Sequence, residues 1–274
     1  MKAKSEAQRQ SSAVMNQRLD PTDALDDFPT PPWATRALVR IVFGELGEDV
    51  GAAKVWEPAA GRGLMAAVLR DEGANVFASD VHRYADGATL DAVGSFVGDG
   101  LDVVATPDDG VHFVITNPPF ALALEFAERG LEVAARGVAL LCRSNWSEGV
   151  TRYERLFRDR PPAIVAQFVE RVPMTAGGFW KDDQGERQAA HRGGFDPDAS
   201  TATAYSWFVW VRGVRGRWAD KFAPPQAFWI PPGQRERLTR PTDAERFAKQ
   251  TTPPPTGFGP GQRADLSSIK GKSK

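Results

Sequence analysis

Short apolar runs rich in Val, Ile, Phe and Trp alternate along most of the chain with stretches of helical period. The runs fall at 52–58, 74–80, 95–100, 111–119, 136–144, 162–170 and 203–213, and their composition predicts seven strands. Between them, 33–45, 63–72, 121–136 and 148–158 read as helices. Within 121–136, Leu122, Phe126 and Val133 recur at near-helical spacing while Glu125, Glu128 and Glu132 fall elsewhere, the pattern of a helix laid on a sheet. Strand and helix in alternation predict an α/β protein with a mostly parallel seven-stranded sheet and helices on both faces. No internal repeat is visible.

The ends break this pattern. Residues 1–24 are polar and without a hydrophobic period, so a flexible N-terminal arm is expected there, followed by one folded domain over 25–218. From about Pro224 the chain becomes dense in Pro and Gly, which predicts a tail, 219–274, with little regular structure. From Gln234 to Lys274 it carries nine Lys or Arg against four acids, a net +5. Such a tail serves either as a solvated segment or as an electrostatic contact to nucleic-acid phosphates. Between the last two strand candidates, 175–200 is rich in Gly and charge and poor in aliphatics, so it is expected as a long loop over a binding face.

Composition narrows the classes. The chain has 274 residues, 42% hydrophobic and 25% charged, values of an ordinary globular protein rather than a disordered or fibrous one. No apolar run approaches the roughly 18 residues of a membrane helix, and the first residues hold no apolar core, so a cytoplasmic protein is expected. One cysteine, Cys142, allows no internal disulfide, and His82, His112 and His191 are too scattered for a zinc cluster; no metal is expected. With a net charge of -1, any polyanion must be met by a local patch.

Chemistry concentrates at predicted strand ends. Glu57, Pro58, Ala59, Ala60, Gly61, Arg62 and Gly63 follow the first strand and open a helix. Glycines at 61 and 63 let backbone approach a ligand beside unpaired helix N–H groups, although a tight strand-to-helix turn uses the same residues. The run lacks the third glycine of a dinucleotide fingerprint and the Gly-Lys-Ser/Thr of a phosphate loop. Asp80 ends the second strand, where an acid accepts from ribose hydroxyls or caps the next helix. Asp99 stands at the expected end of a third, as an acceptor for an adenine amine or as a turn residue. At the end of the fourth, Asn117-Pro118-Pro119-Phe120 forms a stiff, acceptor-rich lip, because two prolines fix φ and hold Asn117 extended.

These motifs, with Phe28-Pro29-Thr30-Pro31-Pro32-Trp33 upstream, resemble the S-adenosylmethionine-dependent amino-methyltransferases, and within them the DNA adenine-N6 methyltransferases of phages and restriction systems. Cofactor motifs before the catalytic one is the order of the group called gamma, and the resemblance spans about 25–215. It implies a Rossmann-like class I methyltransferase fold. Thr30 and Pro31 would lie beside the methionine moiety, Glu57, Pro58, Ala59, Gly61 and Gly63 would form the glycine motif, and Asp80 and Asp99 would hold ribose and adenine. Asn117, Pro118, Pro119 and Phe120 would be catalytic, with Asn117 also bordering the cofactor. The partner implied is DNA with a flipped-out adenine, which Phe120 would stack.

A second ring is expected from Phe168, Phe179 or Trp180, a border of the base pocket from Asn145-Trp146, and Arg171 is either a phosphate contact or a surface residue. The loop 175–200 becomes a candidate target-recognition loop. Cytosine-C5 chemistry would need a cysteine after proline, whereas Cys142 follows Leu141 in an apolar run and reads as core, as do Tyr205, Trp207, Phe208 and Trp210. Two other readings stand beside this one: methylation of RNA adenine or a protein glutamine amide, and a catalytically silent nucleic-acid-binding module.

Overall fold

The computed structural model describes residues 28–83, 90–98, 103–174, 179–181, 187–189, 203–213 and 225–248. Its centre is an eight-stranded sheet in the order β10-β6-β9-β5-β4-β1-β2-β3. The strands are β1 (Lys54–Glu57), β2 (Asn75–Asp80), β3 (Ala92–Val93), β4 (Val111–Thr116), β5 (Ala134–Arg143), β6 (Ile164–Phe168), β9 (Tyr205–Val211) and β10 (Gln226–Ile230). Only β9 runs antiparallel to its neighbours, β5 and β6. The short strands β7 (Phe179–Lys181) and β8 (Arg187–Ala189) pair separately as an antiparallel hairpin.

Parallel strands covered on both faces must be apolar throughout, and β4 and β5 are buried at nearly every position. On one face lie α1 (Pro32–Ala37), which continues through a π-turn at Leu38–Val42 into α2 (Phe43–Leu46), and α3 (Leu64–Asp71). Trp33, Leu38, Phe43, Met65 and Leu69 pack there on Val55, Phe113, Ile115, Leu141 and Trp207. The other face carries α4 (Ala123–Val133), whose Phe126, Ala127 and Leu131 meet Val114, Val138, Leu140, Phe208 and Trp210. The alternation along β9 explains its aromatic density: Trp207 and Val209 serve one core, Phe208 and Trp210 the other.

The α/β alternation and mostly parallel sheet agree with the sequence pattern, while the strand count and several boundaries do not. Of the run expected as a strand at 95–100, the described residues 95–98 form a bend with one isolated bridge, Ser95 to Val103: Ser95 Oγ bonds the backbone of Val97, and Phe96 anchors the bend against Trp56, ring centroids 4.9 Å apart; residues 99 and 100 lie outside the described residues. The third strand is instead Ala92–Val93, on Ser79 and Asp80. The helix expected over 121–136 stops at Val133, because Ala134 is already extended and pairs with Val111. The segment expected as a helix over 148–158 is α5 (Val150–Arg152) followed by a π-turn at Tyr153–Phe157.

The largest correction concerns the Pro/Gly-rich end. Gln226–Ile230 contains no proline and forms β10 on β6, with its flanking prolines outside the ladder at the sheet edge. Two helices follow, α6 (Gln234–Leu238) and α7 (Pro241–Ala248). Pro241 opens α7, and Asp243 returns to the Arg240 N–H at 2.8 Å, half of a capping box. Phe247 packs on Leu64 and Val68 of α3. The buried Arg36 of α1 holds Asp243 bidentately at 2.5 and 2.6 Å and the Leu238 carbonyl at 2.7 Å. The arm 1–24 and residues 249–274 lie outside the described residues, as does most of the loop 175–200. Among the described residues, no helix is long and apolar enough to cross a membrane.

Candidate functional site

Because all sheet strands but β9 point the same way, the carboxyl ends of β2, β1, β4 and β5 and the amino end of β9 share one rim. From β1 the chain builds outward through β2 and β3, then returns to lay β4 on the other side of β1. In sheets of this order, helix connections diverge at such a reversal and ligands usually sit beyond the carboxyl ends of the strands there. Glu57 and Asn117 stand at this place, at the ends of β1 and β4.

The loop from Glu57 to α3 is shaped by backbone. Gly61 and Gly63 have φ of 54° and 77°, the left-handed region that L side chains avoid. Space around Gly61 is open, with no heavy atom within 4 Å of where a Cβ would stand, so the requirement for glycine comes from φ. Asp80 ties the loop to β2: its carboxylate accepts the Gly61 N–H at 2.8 Å and the His82 N–H at 2.9 Å. Ala60 N–H bonds the Ser79 carbonyl at 3.0 Å. Burial raises the Asp80 pKa, and the His82 and Gly61 N–H groups oppose it.

Glu57 is 2% exposed. It accepts a backbone hydrogen bond from Ala66, while Oε2 is buried without a partner. Burial first, and the Asp80 charge second, push its pKa well above the carboxylate range. Thr30 Oγ1 is also buried and unpartnered. Pro31 caps α1, taking the Ala34 N–H on its carbonyl at 3.0 Å.

At the lip, the β4–β5 ladder ends with Thr116 opposite Leu140. Asn117 Nδ2 donates to the Phe28 carbonyl at 2.9 Å. A carbonyl only accepts, so this bond fixes the amide's orientation and turns Oδ1 the other way. That oxygen is buried and has no partner. Pro118 is buried, and Pro119 at φ -53° delivers the half-buried Phe120 into a 3-10 turn, Phe120–Leu122, that leads to α4. The Arg143 guanidinium lies over the Phe120 ring, 4.8 Å from its centroid, and the Tyr205 ring is 6.3 Å away, tilted by 31°.

The structure therefore gathers Thr30, Pro31, Glu57, Pro58, Ala59, Gly61, Gly63, Asp80 and Asn117 to Phe120 along one rim, through strand order and the Phe28–Asn117 and Asp80–Gly61 bonds. Asp99 lies outside the described residues, as do the side chains of Phe179 and Trp180. Phe168 is no second stacking ring: it is buried edge-on against Trp33, centroids 5.4 Å apart. Trp146 does not border the lip either, because it fills the opposite core beside Phe157 and Phe208. Arg171 is exposed. Cys142 is buried, and burial pushes its thiol pKa up, which leaves it a core residue. Arg143 and Tyr205 were missed as neighbours of Phe120. The only sequence signal was a charge closing the apolar run of β5.

No protein-family model matches the chain, and no curated protein does. Among solved structures it is similar to a Pyrococcus horikoshii protein described as a "putative RNA methyltransferase", 14% identical, covering 78% of this chain and 100% of that one with a TM-score of 0.45. A Thermoplasma acidophilum protein, 1320, is 15% identical over 66% of this chain and 90% of its own, with a TM-score of 0.39. A Streptococcus thermophilus protein described as a "putative hemolysin" is 10% identical over 82% and 77%, with a TM-score of 0.36. Likenesses this distant decide nothing about the chemistry of the rim.

Proposed function

We propose that this chain transfers a methyl group from S-adenosylmethionine to the exocyclic N6 amine of an adenine in DNA, on a Rossmann-like class I methyltransferase fold. The observation that carries the reading is Asn117 Oδ1, a buried acceptor without a partner, oriented by the bond from its own amide nitrogen to Phe28 and set next to an aromatic ring. A buried unpaired acceptor costs about 1–3 kcal/mol, so a site that keeps one has a donor to receive. An adenine amine is such a donor, and it needs such an acceptor. Its lone pair is delocalised into the ring, and holding the N–H bonds out of conjugation favours a pyramidal nitrogen. Asn117 Oδ1 would accept one N–H, and the Pro118 carbonyl is the candidate for the other.

Bound S-adenosylmethionine supplies an electrophilic methyl group carried on a sulfonium. The residues of the rim fit that cofactor. Glu57 Oε2 and Thr30 Oγ1 are unpartnered buried groups suited to its amino-acid end, and the open space at Gly61 admits close backbone approach. Asp80 offers the remaining lone pairs of a carboxylate already anchored by two N–H groups. Phe120 would stack the adenine, which must leave the duplex to reach the lip. The methylated amine is acidic and gives its proton to water, so positioning and polar contacts suffice and no nucleophilic side chain is required.

The test is transfer of tritium-labelled methyl from S-adenosylmethionine by the purified full-length protein to unmethylated DNA, RNA or protein, offered separately. Label recovered as N6-methyladenine from the DNA is the expected result. Label confined to RNA or to protein glutamine would move the substrate, and no label in any arm would remove the activity.

A further inference from the structure

Several arginines on this molecule's surface are matched to acids: Arg40 to Glu72 at 2.7 Å, Arg136 to Glu48 at 2.7 Å, Arg155 to Glu128. Among the described residues Arg143, like Arg129, pairs with no acid: its guanidinium lies over Phe120, 4.8 Å from the centroid, and its Nε is buried without a hydrogen-bond partner, whereas Arg129 lies over the core ring of Phe96, away from the lip. Arg143 is the last residue of β5, level with Tyr205 of β9, so it stands on the same rim as Asn117.

A guanidinium laid on an aromatic face keeps its N–H donors at its edge, where they match two oxygens of one anion. We infer that Arg143 is an anion subsite that binds a backbone phosphate flanking the amine-bearing base held at Asn117 and Phe120. This rests on the amino-methyltransferase reading and deepens it, because it selects the substrate class. A nucleotide always brings a phosphate next to its base, whereas a protein glutamine brings no anion of its own. It also answers the charge problem: a chain of net charge -1 meets a polyanion through a cation placed beside the reacting group rather than by bulk attraction.

The experiment compares the full-length protein with Arg143→Gln and Arg143→Lys, using random-sequence duplex DNA and labelled S-adenosylmethionine across a salt series. Arg143→Gln should raise KM for DNA by about tenfold, the value of one charge-assisted hydrogen bond, with kcat little changed. The slope of log(kcat/KM) against log[salt] should become shallower by about 0.9, one phosphate contact. Cofactor affinity and Tm should stay at wild-type values. Arg143→Lys should keep the slope, since it keeps the charge, while losing part of the affinity with the planar fork. Once the target adenine is mapped, a neutral methylphosphonate at the flanking position should penalise the wild type and leave Arg143→Gln unaffected.

An unchanged KM and salt slope in Arg143→Gln, with wild-type transfer to DNA intact, overturns the phosphate subsite alone. A changed slope in Arg143→Lys as well would mean that the substitution disturbs the rim rather than removing a contact, and overturns it too. Failure of the wild type to methylate any nucleic acid overturns the underlying reading instead.

Discussion

At the residue scale, the sharpest consequence follows from Glu57. Its pKa is raised in the folded chain, so between the unfolded and folded values the native state binds more protons than the unfolded one, and stability falls as pH rises through that interval. The stabilisation from the neutral carboxyl is complete below the unfolded value and lost above the folded one. Glu57→Gln removes the titration while preserving size and the acceptor for Ala66. Thermal melts should show the variant matching wild type near pH 4 and melting higher than wild type at pH 8. Equal pH dependence of the two proteins would show that burial does not raise the Glu57 pKa. Asp80 shifts in the same direction and keeps a residual slope in the variant. Single residues were also where the sequence was most legible. Glu57, Gly61, Asp80 and Asn117 each sit at the end of an apolar run, and chemistry at a parallel strand's carboxyl end can be read from one local segment. Arg143 also ends an apolar run, but its place beside Phe120 comes from the pairing of β4 with β5, and Tyr205 arrives only through the antiparallel pairing of β5 with β9, segments far apart in the chain.

At the element scale, α7 is held to α1 by a salt bridge buried on both sides: Arg36 and Asp243 have side chains only 1% and 2% exposed. Glu72 lies 3.9 Å from Arg36 and binds Arg40 and Arg240, and Asp71 binds Arg246, so α1, α3 and α7 share one charged seam. Removing one member strands a buried charge, so Arg36→Met or Asp243→Leu should each lower unfolding free energy by about 3–5 kcal/mol. The double variant should lose clearly less than the two combined, a coupling that urea unfolding of all four proteins measures. Additive losses would show that the pair makes no direct contribution. This seam also explains why the C-terminal region was misread. Prolines and glycine at 224–233 signal a break in regular structure, yet they flank β10 rather than interrupt it, and α6 and α7 are short and carry few apolar residues. What orders them is an arginine on the far side of the sequence. Run lengths were similarly ambiguous where one apolar residue did the anchoring, as Phe96 does in a bend.

At the scale of the whole molecule, strand order converts scattered motifs into one place. The reversal at β1 sets β2 and β4 on its two sides, and β9, the antiparallel strand of the eight-stranded sheet, brings Tyr205 to the rim where the parallel strands end. The alternation of runs foretold the layers; it did not foretell that an eighth strand, from a proline-flanked run, would extend the sheet past β6. The proposal that this rim methylates adenine depends on one acceptor. Asn117→Ala removes Oδ1 and leaves the glycine loop, Glu57 and Asp80 in place. The direct measurement is single-turnover formation of N6-methyladenine in DNA, quantified by mass spectrometry for wild type and Asn117→Ala, with S-adenosylmethionine affinity measured by calorimetry on the same preparations. The expected result is a loss of about a hundredfold or more in rate at nearly unchanged cofactor affinity. Equal rates for the two proteins would contradict it.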